Sequence, residues 1–480
     1  MSDEPSDRDD ASGEPEDGSP TDGGVDSGDP SADDSLTDRF AALPRWQSDL
    51  LLIVATVLGV YVFIAGLGLV TGLGFGGVTR TLRTVTFLAA AYALVVLALN
   101  LHWGYTGLFN IGVAGFMAVG AYTMAIATAD IDPGATGTPG LGLPVPVGIV
   151  LGMVAAGLVG LIVVLPALRI RADYFAIVTL AFAEVIRLLI TSGALREFEV
   201  LGRELGTGGG AGINFARLDT VVPSWILYRG GTIEQGTNLF GRQLLTVTNA
   251  LGIERTLVEN WLYTLTLVLL VAAVFWLLVR TGNSPFGRVL KAIREDELAT
   301  KSLGKNTDLV KIKVFVLGCA IMGLAGIVWQ GRNGYVDPNA FLPIVTFYIF
   351  IALIIGGSGS NTGSVIGAFV FIGLLFEGPP YVQRIVRQNV DLPRPDTVYD
   401  GVVALGGLDP LPLLGYVVGQ LPNIRFILFG AILIGLMIYR PDGLLGHRNE
   451  PASPIDLRRE RPPTAGPSSS ARADGGESDE

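Results

Sequence analysis

Residues 283–313, NSPFGRVLKAIREDELATKSLGKNTDLVKIK, form a polar interruption between two long hydrophobic runs and contain all five lysines of the chain. Ser284 is suited to cap a helix whose first position is Pro285, since proline needs no hydrogen-bond donor there. Asp296 is suited to cap a second, short helix that ends at Gly304, because glycine tolerates left-handed backbone. The interruption therefore predicts a basic, helical docking element between two membrane spans.

Helical spacing separates apolar from basic side chains in the first of these helices. The apolar side chains predicted to share one face are Phe286, Val289, Leu290 and Ile293. The basic side chains predicted to turn away from that face are Arg288, Lys291 and Arg294.

The composition predicts an all-α, polytopic helical membrane protein. Hydrophobic residues make up 50% of the 480 residues and charged residues only 16%, whereas soluble globular chains usually carry about 25% charged residues. Apolar runs of about 20 residues are long enough to cross a bilayer as helices. About ten transmembrane helices are predicted, two of them short, at 50–70, 84–101, 110–128, 145–166, 174–191, 260–279, 312–331, 343–357, 363–378 and 423–440.

These spans predict one transmembrane permease domain, residues 48–448, between two polar tails. The tail 1–47 is rich in Asp, Glu, Ser, Pro and Gly, a composition that cannot bury a core and predicts disorder. The tail 449–480 is similar in kind and is predicted to be disordered and cytoplasmic. The lysine and arginine bias of short loops predicts that 283–311 is cytoplasmic, that 193–258 is an extracellular loop, and that both termini lie inside.

The sequence carries no recognisable catalytic constellation, so a transport subunit is predicted rather than an enzyme. It lacks the GxxxxGK[ST] phosphate loop that would bind ATP. Two histidines and one cysteine are too few for a metal site, and no cofactor is predicted. Intramembrane charges are few; Glu184 and Arg187 are predicted to pair along one helix face. Because ion-coupled carriers usually show more intramembrane carboxylates, the energy for pumping is expected to come from a partner.

Seven segments, in order, resemble the permease subunits of branched-chain amino acid ABC transporters, in the LivM-like branch. They are ALNLHWGYTGLFNIGVAGFMAVGAY (98–122), RIRADYFAIVTLAFAEVIR (169–187), GTGGGAGI (206–213), SPFGRVLKAIREDELATKSLG (284–304), GYVDP (334–338), GGSGS (356–360) and YRPDGLLG (439–446). The resemblance implies an ABC importer permease in the plasma membrane, which translocates branched-chain or related amino acids inward. Its implied partners are two cytoplasmic ABC ATPase subunits, a second homologous permease subunit and an extracellular substrate-binding protein.

The resemblance also implies that the polar interruption is the coupling element that sits in a groove of the ATPase. The candidate ATPase-coupling residues are Arg288, Arg294, Glu295, Asp296, Glu297, Ala299 and Gly304. Glu297, Ala299 and Gly304 resemble the coupling pattern of Glu-Ala-Ala followed by glycine. Leu298 stands where the first alanine of that pattern would be.

Two glycine-rich stretches, 103–122 and 356–367, place polar residues at or near predicted membrane depth. Irregular backbone is tolerated there only when it is buried in protein or lines a cavity. The candidates for a polar, mostly uncharged translocation path are Tyr105, Thr106, Asn110, Ser358, Ser360 and Asn361. The competing interpretation of such residues is that they cap helices or form turns.

Three alternatives stay open on the sequence alone. A permease of the same family would import urea, short amides or another small polar solute. A stand-alone channel or secondary carrier would transport without ATPases. A lipid-binding role for the basic loop would depend on its lysines, although the acids at 295–297 count against it.

Overall fold

The computed structural model describes residues 45–445, apart from 71–73, 133, 135–136, 169, 171 and 201. The tails that the sequence predicts to be disordered, 1–47 and 449–480, lie outside these described residues except for 45–47.

Helices make up most of the described chain. In chain order they are α1 (Arg45–Val70), α2 (Phe75–Leu99), α3 (Val113–Thr128), α4 (Val145–Ala167), α5 (Ala172–Thr191), α6 (Gly193–Arg196), α7 (Leu218–Leu227), α8 (Leu239–Ala250), α9 (Arg255–Gly282), α10 (Pro285–Glu295), α11 (Glu297–Ser302), α12 (Thr307–Gly331), α13 (Pro343–Gly356), α14 (Asn361–Val370), α15 (Gly378–Asn389), α16 (Val398–Gly406) and α17 (Leu411–Tyr439). Two π-helical turns, Asn100–Gly104 and Phe371–Phe376, extend α2 and α14.

Within the described residues, eight helical segments are long and apolar enough to cross a membrane. They are α1, α2 with its π-helical turn, α4, α5, α9, α12, α17 and the continuous stretch Asn361–Asn389. The predicted spans at 110–128 and 343–357 correspond to α3 and α13, which have only 16 and 14 residues. All ten predicted stretches are therefore helical, and the chain is an all-α, multi-pass membrane protein, but eight rather than ten segments have full membrane-spanning length.

The last helix starts well before its predicted boundary at 423. Helix α17 begins at Leu411 and carries Pro422 in its interior. Proline is tolerated inside membrane helices because neighbouring groups can satisfy the backbone that it frees.

Helix α12 lies at the centre of the bundle, where it packs against α2, α3 and α4. Glycines make the closest of these contacts. A Cβ on Gly120 would lie 2.4 Å from the Cα of Gly323, and a Cβ on Gly152 would lie 2.6 Å from the carbonyl oxygen of Gly120. Without a hydrophobic driving force between helices in lipid, such small residues stabilise a bundle by allowing close packing.

The segment 193–258, predicted as a long loop, is largely structured. It contains α6, α7, α8 and an antiparallel pair of strands, β1 (Phe198–Val200) and β2 (Arg203–Leu205). A third strand, β3 (Ile213–Asn214), pairs with β4 (Tyr335–Val336), which follows α12. Helix α7 packs against α9, so this segment is held on the end of the bundle where α12 finishes.

We expect Gly120→Ala to lower thermal stability, because its methyl group would collide with the α12 backbone. Overpacking of this kind typically costs about 1–3 kcal/mol. Gly59→Ala in α1 is the matched control, since a Cβ there meets no atom of the described residues within 4 Å. Thermal melting of the two purified variants in detergent tests this, and equal melting temperatures would contradict the packing described here.

Candidate translocation and coupling site

Helix α2 ends in the π-helical turn Asn100–Gly104, and irregular backbone follows up to α3. Since the turn belongs to a membrane-length segment, its polar groups must be satisfied inside the protein. The carbonyl oxygen of His102 accepts from the Thr106 hydroxyl at 2.5 Å and from the Leu108 N–H at 3.0 Å. The irregular backbone after α2 is therefore hydrogen-bonded partly by its own residues.

Hydroxyl groups from neighbouring helices satisfy the start of α3. The N–H of Ile111 donates to the Thr179 hydroxyl of α5 at 3.0 Å. The N–H of Ala114 donates to the Thr346 hydroxyl of α13 at 3.1 Å. Helices α5 and α13 thus hold the start of α3 in place.

Asn100 joins the two irregular segments of the protein. Its side chain is fully buried; Nδ2 donates to Oδ1 of Asn361 at 2.9 Å, and Oδ1 accepts from the N–H of Gly359 at 2.7 Å. Nδ2 of Asn361 in turn donates to the Tyr105 hydroxyl at 3.0 Å. The end of α2 and the turn before α14 therefore share one buried polar network.

His102 connects this region to α12. Its ring is fully buried and stacks on Phe315, with ring centres 4.6 Å apart. Nε2 lies 3.1 Å from the carbonyl oxygen of Phe315, and Nδ1 lies 3.2 Å from Nδ2 of Asn110. Because the amide nitrogen of Asn110 can only donate, Nδ1 accepts and Nε2 carries the proton. A neutral imidazole therefore links α2 to α12.

The structure places the six predicted path residues in two settings. Tyr105, Thr106, Asn110 and Asn361 are buried and bonded within the network just described. Ser360 caps α14 by accepting from the N–H of Gly363 at 3.0 Å, and Ser358 lies partly buried in the turn before it. Their part in substrate passage stays a prediction.

Sequence reasoning missed Asn100, His102, Thr179 and Thr346, which complete the network. An asparagine and a histidine within the three residues before a glycine-rich stretch are a usable signal, since buried polar groups need partners.

The coupling element has the two capped helices that its sequence predicts. The Ser284 hydroxyl accepts from the N–H of Gly287 at 3.2 Å, and Pro285 occupies the first helical position. Asp296 caps α11 by accepting from the N–H of Ala299 at 2.9 Å. Gly304 has φ +77°, the left-handed conformation expected after the helix.

Two basic residues of α10 do not turn away from the protein, so that prediction was wrong for Lys291 and Arg294. Nη1 of Arg294 donates to the carbonyl oxygen of Gly104 at 2.6 Å. The Lys291 ammonium lies 5.8 Å from the centre of the Tyr105 ring. A carbonyl at the end of a broken helix is a strong acceptor for a charged donor. Arg288, in contrast, is exposed as predicted.

Glu297 attaches α11 to α12. Its carboxylate accepts from Nζ of Lys311 at 2.5 Å and from the Thr307 hydroxyl at 3.1 Å, and it lies 3.2 Å from Nζ of Lys301. Burial alone would raise the pKa of Glu297, but the hydrogen bonds and charges of Lys311 and Lys301 outweigh burial and hold the pKa below its ordinary value. The first residue of the coupling-like pattern therefore fixes the element to the bundle.

The remaining candidate coupling residues form the outer surface of the element. Glu295, Asp296, Ala299 and Gly304 are exposed beside Arg288. Two leucines of this surface, Leu298 and Leu303, have 77% and 80% of their area exposed. Highly exposed leucines among charged residues make this surface a candidate interaction site.

We expect Asn100→Ala to destabilise the protein, because it leaves Gly359 and Asn361 with unpaired buried groups. Each such group costs about 1–3 kcal/mol. Asn423→Ala is the control, since among the described residues the Asn423 side chain is bonded only to Gln420, on an exposed helix surface. A melting temperature for Asn100→Ala equal to that of the control would contradict the structural importance of the network.

We expect Glu297→Gln to loosen α11, because the amide no longer pairs with Lys311 and Lys301. A depressed carboxyl pKa stabilises the folded state above the ordinary value of about 4.3, and this contribution is lost as the pH falls through the folded value. Hydrogen exchange of residues 297–306, corrected for intrinsic rates, should be faster in the variant at neutral pH. Acidification should raise the corrected exchange rate of the unchanged protein towards that of the variant. Glu295→Gln, at an exposed position, should exchange like the unchanged protein.

Comparison with known proteins places this architecture among permeases. A family model described as "branched-chain amino acid transport system / permease component" matches residues 81–437. The high-affinity branched-chain amino acid transport system permease protein LivM of Salmonella typhimurium is 30% identical over 301 residues, 62% of this chain and 63% of the relative. The probable branched-chain amino acid transport permease protein LivM of Methanocaldococcus jannaschii is 25% identical over 379 residues, 74% of this chain and 90% of the relative.

A more distant relative is the LivH permease protein of the high-affinity branched-chain amino acid transport system of Escherichia coli, 24% identical over 296 residues, 62% of this chain and 82% of the relative. The chain thus spans 63% of the length of the Salmonella LivM protein that it matches. No solved structure matches it significantly. Because the family model covers well over half of the 480 residues, this protein belongs to the family of branched-chain amino acid transport system permease components.

Proposed function

We propose that this protein is the membrane-spanning permease subunit of an ABC importer in the plasma membrane. In this role it moves branched-chain amino acids inward, and partner subunits hydrolyse the ATP. Family membership and the names of the LivM relatives support this role. The observation that carries it is the direct bond between the coupling element and the broken end of α2, from Arg294 to Gly104.

The proposed orientation puts α10 and α11 in the cytoplasm. The interruption holds every lysine of the chain, and basic loops of membrane proteins face the cytoplasm. Both termini then lie inside, and the structured segment 193–258 lies outside. This arrangement gives the ATPases and an external substrate-binding protein opposite ends of the bundle to bind.

The proposed ATPase dock is the outer surface of α10 and α11. Leu298 and Leu303 supply apolar contact, and the exposed charges around them, Arg288 and Glu295 among them, supply orientation. Two ATPase subunits would bind two such surfaces, one on this chain and one on a second, homologous permease subunit. The E. coli LivH protein is an example of a related chain in a system of this kind.

Movement of the dock would reach the translocation path through two contacts. The Arg294 guanidinium and the Lys291 ammonium hold the Gly104 carbonyl and the Tyr105 ring. Tyr105 continues to Asn361, and Asn361 to Asn100. A shift of α10 would therefore break or exchange hydrogen bonds at the junction of the two irregular segments. Opening of this network would expose the candidate path residues to the substrate.

The fixed Glu297 has a complementary role in this proposal. Its bonds to Lys311 and Thr307 make α11 move with the start of α12. Because α12 is the central helix of the bundle, a displacement of α11 would be transmitted to the helices that pack against α12. The coupling element would thus act on the broken helix through α10 and on the bundle core through α11.

We expect the double variant Leu298→Asp, Leu303→Asp to abolish ATP-dependent leucine uptake, because charge on the apolar surface removes the ATPase contact. Leu408→Asp is the matched control, since Leu408 is 92% exposed but lies in the turn between α16 and α17. The measurements are co-purification of ATPase subunits with the tagged chain and leucine uptake into proteoliposomes that contain the whole importer.

Three outcomes of these measurements would contradict the proposal. Uptake by the purified single chain without ATPases would indicate a channel or secondary carrier. Uptake of urea or short amides in place of leucine would indicate another substrate class within the family. Retained ATPase binding in the double leucine variant, together with loss of function on neutralising the lysines, would favour a lipid-binding role for the loop.

A further inference from the structure

Two arginines come together at the end of the bundle that is remote from the coupling element. Arg83 lies in the first part of α2, and Arg332 directly follows α12. The Arg332 guanidinium lies 4.9 Å from the centre of the Phe87 ring, and Phe87 is one helical turn after Arg83 on the same face of α2. The positive charge of Arg332 acts on Arg83.

Neither guanidinium has an anionic partner within the part of the chain that the structure describes. No carboxylate there lies within 4.0 Å of Arg83 or Arg332. The Nε–H of Arg83 is buried and donates to no acceptor among the described residues. The nearby carboxylate of Asp219 is already held by Arg217 through hydrogen bonds of 3.1 and 2.8 Å.

The surrounding charges increase the attraction for an anion. Glu377 is the second acid, after Asp219, whose negative charge acts on Arg332. The positive charges of Arg384 and Arg425 also act on Glu377. Five arginines, namely Arg83, Arg217, Arg332, Arg384 and Arg425, therefore oppose two acids. Partly buried like charges destabilise one another unless an anion joins them, and charged residues in membrane segments mark functional sites by default.

We propose that Arg83 and Arg332 bind the carboxylate of the transported amino acid as it enters the permease. This inference rests on the proposed function and names a binding site for its substrate. Guanidinium groups suit this task because their planar donors match both oxygens of a carboxylate.

The test measures leucine uptake by the complete importer in proteoliposomes that carry Arg83→Gln, Arg332→Gln or Arg83→Lys. A lost charge-assisted hydrogen bond predicts a roughly tenfold to hundredfold lower uptake at subsaturating leucine for either glutamine variant. Leucine uptake by Arg83→Lys should lie between that of the glutamine variants and that of the unchanged importer, since lysine keeps the charge but loses the planar donor pair. Arg80→Gln is the matched control on the same helix, because Arg80 is exposed and its only ion pair within the described part of the chain is with Glu254, at 3.1 Å on the surface. Leucine uptake by this control should stay within about twofold of that of the unchanged importer.

A second measurement separates substrate binding from docking of the external binding protein. ATPase activity of the importer is titrated with leucine-loaded binding protein, and its half-saturating concentration should be the same in Arg83→Gln and Arg80→Gln. A higher half-saturating concentration in Arg83→Gln alone would overturn the inference, because the arginines would then hold the binding protein. Equal uptake by Arg83→Gln, Arg332→Gln and the control would overturn it as well. Absence of leucine uptake by the unchanged importer would instead overturn the proposed function, and this inference with it.

Discussion

The backbone of two interrupted membrane helices must find hydrogen-bond partners without water, and the centre of this molecule is arranged around that requirement. Asn100 meets it by bonding both to Asn361 and to the N–H of Gly359. Hydroxyl groups of Thr179 and Thr346 meet it at the start of α3. Helices α2, α5, α13 and α14 are therefore held at one place by polar bonds, while glycine contacts hold α3, α4 and α12 together by packing.

In the proposed function, the same bonds provide both stability and coupling. A continuous helix satisfies its own backbone hydrogen bonds, so a force on its end moves it as a rigid unit. A broken helix leaves a carbonyl such as that of Gly104 available to a side chain from outside, and Arg294 of the coupling element takes it. The polar network is thus a place where an external movement can exchange one set of hydrogen bonds for another.

The sequence predicted local features well and long-range contacts poorly. The caps formed by Ser284 and Asp296 were predictable, because a cap depends on residues three positions apart. The orientation of Arg294 was not, because helical periodicity describes one helix by itself and the partner, Gly104, is 190 residues away. The length of α17 was misjudged at its start, and α3 and α13 proved shorter than full spans.

By itself, the sequence determined the class of the protein, its helical membrane segments, the two capped helices between residues 285 and 302, and its family. Hydrophobicity, capping and family motifs are properties of contiguous residues, so one sequence is enough to detect them. The tertiary structure alone decided which polar residues meet. It joined Asn100 to Asn361 across 261 positions, and it brought Arg83 and Arg332 to one end of the bundle. The physical reason is that hydrogen bonds and charges act over a few ångströms in space, and only the packing of helices sets those distances.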